Sequence, residues 1–367
     1  MTPLRILIVS TPVGPLGSGI GGGVELTLHS LVLGLSGRGH HVQVVAPEGS
    51  LHVGAGVHQI PGALQVSSQN DGRGAPISMP PSPVLGAMWE WVRAHQEHFD
   101  VVLNLAYDWL PFHLAPYLDV PVAHLVSMAS VNDAMDAAIV STARRRPGSV
   151  AMHSVAQAET FPDVAGDLRV IGNGIAVERY DLRLHADEPR HLGWIGRISS
   201  EKGIDDVFAV SAITGLQIKV WGLMQDARCW QDAVRAHPTA QVGYQGFFPT
   251  DELQAAIGGC AAVLMTPKWV EAFGNVAIEA MACGVPVIAY ERGGPAEVVL
   301  DGETGFLVEP DDVDGLVRAV DRLELIDRVA CRRSVEERFS TEALAGRVEI
   351  WLGDVVVLGV LLRGFHH

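Results

Sequence analysis

The chain reads as an α/β protein of two Rossmann-like domains, each a parallel sheet with helices on both faces. Three observations predict this. Short Val/Ile/Leu runs alternate with helical stretches, the pattern of βαβ units whose strands are buried on both sides. At 367 residues the chain exceeds one ordinary core and suits two. A second βαβ series restarts in the second half, with its own strand-to-helix loop at Gly196. No short-period repeat is visible.

In the first half, residues 5–9, 41–45, 101–105 and 120–124 are apolar runs of strand length, and 25–35 is a helical stretch closed by Gly37, Arg38 and Gly39. Residues 49–85, rich in Gly, Pro and Ser, predict short strands and an irregular loop. Residues 166–173 close the first domain. In the second half, strands are expected at 192–195, 217–220, 242–244, 262–265 and 285–289. Helices are expected at 204–212, 226–235 and 251–257, with another running through Met281. The division is 1–172 and 173–338. Two such halves imply a cleft at the carboxyl ends of their strands, where ligands bind in open α/β sheets.

Composition narrows the function. Hydrophobic residues at 48% and charged ones at 19% describe a globular protein. A net charge of −16 argues against duplex nucleic acid or an anionic membrane as the main partner. Cys229, Cys260, Cys283 and Cys331 show no CxxC spacing, which predicts reduced thiols and a cytoplasmic setting. The N-terminal apolar run is too short for a signal peptide, and no run reaches the roughly 20 apolar residues of a membrane span. The apolar stretch 355–362 suits a strand, an artefact of the chain's end or a sticky contact equally.

Several motifs carry chemistry. In Glu271-Ala-Phe-Gly-Asn-Val-Ala-Ile-Glu279, a carboxylate precedes a helix whose first amides, around Phe273, Gly274, Asn275 and Val276, attract phosphate. Glu279 follows about two helical turns later, so both carboxylates can face one ligand. Taken alone, the segment equally suits a capped amphipathic helix. Arg197 and Lys202, in Gly196-Arg-Ile-Ser-Ser-Glu-Lys-Gly203, place two cations at a strand's carboxyl end, where Arg grips a diphosphate bidentately and Lys acts as a point charge. With Glu271 and Glu279 in the same domain, a diphosphate site outweighs a solvated loop.

In the loop 11–23, Gly17, Gly19 and Gly22 make a formal GxGxxG. The loop is too long for the dinucleotide turn, and Glu48, the acid nearest the second strand's end, follows Pro47. Backbone at Gly22 and Gly23 approaching a phosphate or sugar is the better reading. His124, ending its strand, points to the cleft as a sugar or acceptor ligand, or serves as a structural residue. Tyr107, Asp108 and Trp109 line an acceptor pocket or pack between domains. Asp311, Asp312 and Asp314 mimic a DxD metal site, but they open a helix after Pro310, where acids favour the dipole. No metal is expected.

With Arg197, Lys202, Glu271 and Glu279 in this order, the chain resembles the retaining glycosyltransferases of family 4, which have the glycosyltransferase-B fold. The likeness covers nearly the whole length. It includes Gly21-Gly22-Gly23 with Glu25, Arg38-Gly39-His40, Asn173-Gly174-Ile175, Glu279 to Pro286, Gly293-Gly294 with Glu297, and Asp301-Gly302 with Gly305-Phe306. The resemblance implies that Arg197 and Lys202 hold a donor diphosphate, that Glu271 binds the sugar's 3- and 4-hydroxyls, and that Glu279 binds the ribose. It also implies that His124 lies by the sugar's reacting face and that a helix at 339–352 packs back on the first domain. Asn275 and Ser127 depart from the pattern, standing where relatives commonly carry leucine and a second histidine. Residues 10–27 look like the cyanobacterial UDP-glucose:tetrahydrobiopterin glucosyltransferases.

The expected activity is metal-independent, retaining transfer of a hexose, glucose from UDP-glucose, to a small hydroxylated acceptor such as a pterin, with no bound cofactor. A sugar or lipid acceptor and a nucleotide-sugar 2-epimerase are the alternatives. A nucleotide-dependent oxidoreductase lacks its acid at the second strand's tip. The base pocket is expected near Gly246, Phe247 and Phe248.

Overall fold

The apolar runs become the strands of two all-parallel sheets, one in each of two units. The structure, a computed structural model, describes residues 2–51, 54–66 and 72–364, with side chains of the last helix through Gly359. One unit is Met1–Gly174 with Thr341–His367, and the other is Ile175–Ser340.

The first unit carries β1 (Arg5–Val9), α1 (Gly23–Gly37), β2 (His41–Pro47), β3 (Gly56–Ile60), α2 (Val84–His95), β4 (Val101–Asn104), α3 (Trp109–Leu114), β5 (Val122–Leu125), α4 (Asp133–Arg145), β6 (Val150–Met152), α5 (Val155–Glu159) and β7 (Arg169–Val170). Its seven strands lie in the order β3-β2-β1-β4-β5-β6-β7. The order reverses between β1 and β4, the switch point at which such sheets open a crevice. Of the 49–85 stretch, β3 and the start of α2 are regular, and 52–53 and 67–71 lie outside the described residues. The helix α4 starts where Asn132 Oδ1 accepts the amides of Ala134 and Met135, both at 3.1 Å, with Asp133 and Asp136 favouring its dipole.

The second unit carries β8 (His191–Ile195), α6 (Ile204–Thr214), β9 (Gln217–Trp221), α7 (Ala227–Ala236), β10 (Val242–Gly246), α8 (Thr250–Gly258), β11 (Val263–Met265), α9 (Asn275–Ala282), β12 (Val287–Tyr290), α10 (Pro295–Val298), β13 (Gly305–Val308), α11 (Val313–Val320) and α12 (Arg328–Arg338). Its six strands run β10-β9-β8-β11-β12-β13. The reversal falls between β8 and β11. One continuous core is built from β8, β11 and β12 against α6, α9 and α11.

The last helix, α13 (Thr341–Gly364), belongs to the first unit and lies on α1. Leu344, Val348 and Leu352 share a core with Leu28, Leu31 and Leu35. Polar ties reinforce it: Trp351 Nε1 donates to the Gly148 carbonyl at 2.7 Å, and Arg38 donates to Glu349 at 2.7 Å. The helix runs past residue 352, so the apolar stretch 355–362 is its last turns rather than a strand, the side chains of 360–362 lying outside the description. No helix among the described residues is long and apolar enough to cross a membrane.

Candidate functional site

The loops leaving β8 and β11, on the two sides of the second unit's switch point, carry Arg197, Lys202 and Glu271. The two loops are fastened to each other. Gly203, the N-cap of α6, sits at φ +67, and a Cβ there would stand 2.0 Å from the Thr266 carbonyl oxygen, so only glycine permits both the left-handed turn and the close approach. Thr266 Oγ1 donates to the Gly203 carbonyl at 2.8 Å, and the Lys268 amide donates to the Glu201 carbonyl at 2.8 Å. Gly293, at φ +71, lets its backbone press on Glu271: a Cβ would lie 2.5 Å from the Glu271 oxygen, and the Gly294 amide donates to that oxygen at 2.7 Å.

This scaffold brings the charged groups together. Lys202 Nζ forms an ion pair with Glu271 Oε2, which also accepts the Trp269 indole N–H at 3.1 Å. The ammonium lies 5.1 Å from the centre of the Trp269 ring, within cation–π range. Arg197 donates to Gln225 Oε1 at 2.7 Å and lies 3.5 Å from Glu201. Burial pushes the Glu271 carboxyl up, but the Lys202 charge and hydrogen bond, the Trp269 N–H and the Arg197 charge together hold it below its usual value. It is therefore an anion at neutral pH.

Beyond Gly274, which caps α9 at φ +99, Asn275 and Val276 form the helix's first turn, with its positive dipole end at this loop. Phe273 is buried, edge-on to Phe339 at 5.6 Å. Glu279 is inside α9 and 6% exposed. It accepts the Tyr180 hydroxyl at 3.0 Å. Burial raises its carboxyl to about 7, opposed by the Tyr180 hydrogen bond and the Arg179 charge. The two glutamates of the segment thus have separate partners and opposite electrostatics.

Asp311 and Asp312 are spoken for. Asp311 accepts from Arg292 Nη2 at 2.6 Å and Lys268 Nζ at 3.0 Å, which hold its carboxyl down at about 2. Asp312 caps α11 through the Gly315 amide at 2.9 Å. Among the described residues no three His, Cys, Asp or Glu cluster as metal ligands.

In the first unit one strand boundary is corrected. The strand expected at 120–124 begins after Pro121 and ends at Leu125, so His124 is not at its tip. Its ring is fully buried, stacks on Phe112 at 4.2 Å, and has Nδ1 3.3 Å from Asn104 Nδ2. Burial, helped by the Arg146 charge, lowers its pKa to about 3. The imidazole is thus neutral and enclosed, and its Nε2 has no hydrogen-bond partner among the described residues. Ser127 lies beyond the strand's end and is half-buried.

Much of the glycine loop is tied down by its own helix. Glu25 turns back from α1 and accepts the amides of Gly17 at 2.8 Å, Gly19 at 3.3 Å and Gly21 at 2.7 Å. The Gly22 amide donates to the Gly19 carbonyl at 3.2 Å, and Gly23 begins α1. Asp108 caps α3 through the Leu110 amide and accepts from Gln65, while Trp109 stacks on His113 at 4.3 Å.

Tyr180, Trp269 and Gln225 escaped the sequence reading. Trp269 had a signal, its place two residues before Glu271. Tyr180 had none, being 99 residues from its partner.

Comparison with known proteins fits this arrangement. Residues 182–341 match the family described as glycosyl transferases group 1. The glycogen synthase of Mycobacterium tuberculosis is 30% identical over 374 residues, covering 90% of this chain and 88% of that enzyme. The 2-deoxystreptamine N-acetyl-D-glucosaminyltransferase of Streptomyces fradiae is 32% identical over 170 residues, 44% of this chain and 40% of that one. Among solved structures, Anabaena HepE with UDP and glucose superposes with a TM-score of 0.73 at 18% identity, covering 96% of this chain and 100% of that one. The sucrose-phosphate synthase of Thermosynechococcus elongatus gives 0.70 at 19% identity, with 99% of each covered. The sheet order and these superpositions are those of the glycosyltransferase-B fold, and the chain belongs to the group 1 glycosyltransferases.

Proposed function

We propose that this protein is a metal-independent, retaining hexosyltransferase that moves glucose from UDP-glucose to a small hydroxylated acceptor. The second unit is the donor domain and the first the acceptor domain. One observation carries the reading: Arg197, Lys202 and Glu271 come from two loops fastened to each other at a topological switch point, beside the N-terminus of α9. That set suits a diphosphate next to a polyhydroxylated sugar. The glycogen synthase relative, and the superposition on HepE solved with UDP-glucose, favour a glucosyl donor.

In this reading Lys202 and Arg197, with the dipole of α9, stabilise the negative charge that grows on the departing diphosphate. Glu271 holds sugar hydroxyls, and Glu279 the ribose. The Gly274, Asn275 and Val276 backbone lies against the phosphates, with Phe273 behind it. The leaving phosphate oxygen takes the acceptor's proton on the same face of the sugar as the bond that breaks. A protein base is not required.

The test is release of nucleoside diphosphate from UDP-glucose, UDP-galactose, ADP-glucose and GDP-mannose, each with tetrahydrobiopterin, free glucose or a lipid-linked sugar as acceptor. Arg197→Ala and Lys202→Ala should each lower turnover roughly 100-fold or more, and EDTA should leave it unchanged. Near-normal turnover in both variants would sink the assignment. Failure with tetrahydrobiopterin alone removes the pterin acceptor and leaves the rest.

A further inference from the structure

Glu271 has an asymmetric carboxylate. Oε2 takes two donors, the Lys202 ammonium and the Trp269 indole N–H at 3.1 Å. Among the described residues no donor reaches Oε1. The two donors differ in kind. An ammonium on a flexible stem re-aims easily, and a diphosphate brings more negative charge than one carboxylate. The indole N–H is neutral, sits on a ring with few rotamers, and donates only. Trp269 also lies under the ammonium, 5.1 Å from ring centre to Nζ, so one residue touches both members of the ion pair. When Lys202 leaves for a diphosphate, Glu271 keeps one donor, and that donor fixes the plane of its carboxylate.

We propose that Trp269 is a positioning residue for the donor sugar: its N–H retains Oε2 of Glu271 after Lys202 turns to the diphosphate, and so presents Oε1 to a sugar hydroxyl in fixed geometry. This rests on the donor reading above. Its consequence is a division of labour. Free nucleoside diphosphate draws on Lys202 and Arg197 and gains nothing from Trp269, whereas the intact nucleotide sugar depends on it.

Trp269→Phe removes the N–H and keeps a ring under Lys202. Titration calorimetry of the full chain with UDP and UDP-glucose, and with ADP and ADP-glucose in parallel, reads the effect. Trp269→Phe should bind the diphosphate within about twofold of the parent and the nucleotide sugar about 10-fold or more weakly, the size expected for losing a hydrogen bond to a charged group. Retained diphosphate binding also certifies that the variant is folded. Glu271→Gln is the reference for a lost sugar contact. If Glu271→Gln weakens the nucleotide sugar and Trp269→Phe does not, the positioning role is refuted and the donor reading stands. Equal weakening of diphosphate and nucleotide sugar in Trp269→Phe marks a merely structural residue and also refutes it. A parent that binds neither pair overturns the donor reading, and the proposal with it.

Discussion

Glu279 is buried with a single neutral donor, and its cost can be read directly. Its carboxyl is raised from 4.5 to about 7, chiefly by burial. A folded-state value above the unfolded one means that the folded chain binds this proton more tightly. The contribution is complete below pH 4.5 and is lost as pH rises through 7. The gap, at 1.36 kcal/mol per pH unit, amounts to about 3 kcal/mol at alkaline pH. Glu279→Gln keeps the shape and still accepts the Tyr180 hydroxyl, but carries no charge to bury. Urea unfolding of parent and variant at pH 5 and pH 8 should therefore show a difference that moves in the variant's favour by about 2 kcal/mol or more between the two. The same variant should bind UDP more weakly if Glu279 holds the ribose, so stability and donor affinity change in opposite directions. A stability difference that stays flat from pH 5 to pH 8 would refute the burial argument, whatever happens to binding.

Two further outcomes follow from the geometry. Gly203→Ala puts a Cβ 2.0 Å from the Thr266 carbonyl at φ +67, so it should cost about 2 kcal/mol or more in urea unfolding and lower turnover by separating the two loops; a loss under about 0.5 kcal/mol would disprove the close approach. His124, with its pKa lowered from 6.5 to about 3, gives stability that is present above pH 6.5 and lost as pH falls toward 3. His124→Leu should thus resist acid unfolding better than the parent near pH 4 while retaining turnover, and a 100-fold loss of turnover in the folded variant would return His124 to the chemistry.

What was legible in the sequence depended on distance along the chain. The buried strands of a parallel sheet are continuous apolar runs, so the longer strands of both sheets could be read directly, while the two- to four-residue β6, β7 and β13 were not assigned. Arg197 with Lys202, and Glu271, each lie within a strand-to-helix connection, so topology alone brought them to a strand's carboxyl end; Glu279 follows inside α9. His124 was placed at the tip because the strand's end was read one residue short, at 124 rather than at Leu125. Pro121, unable to donate to the ladder, sets the start here. The glycine loop teaches something different. Its spacing shows that amides can converge on an anion, and they do, but the anion is Glu25, six residues beyond Gly19 in the same chain. A pattern of backbone donors records the need for a negative charge without saying who supplies it. The same holds at Glu271, where the sequence shows a carboxylate near two cations, while the indole that fixes which oxygen is left open becomes visible only when the loop is folded.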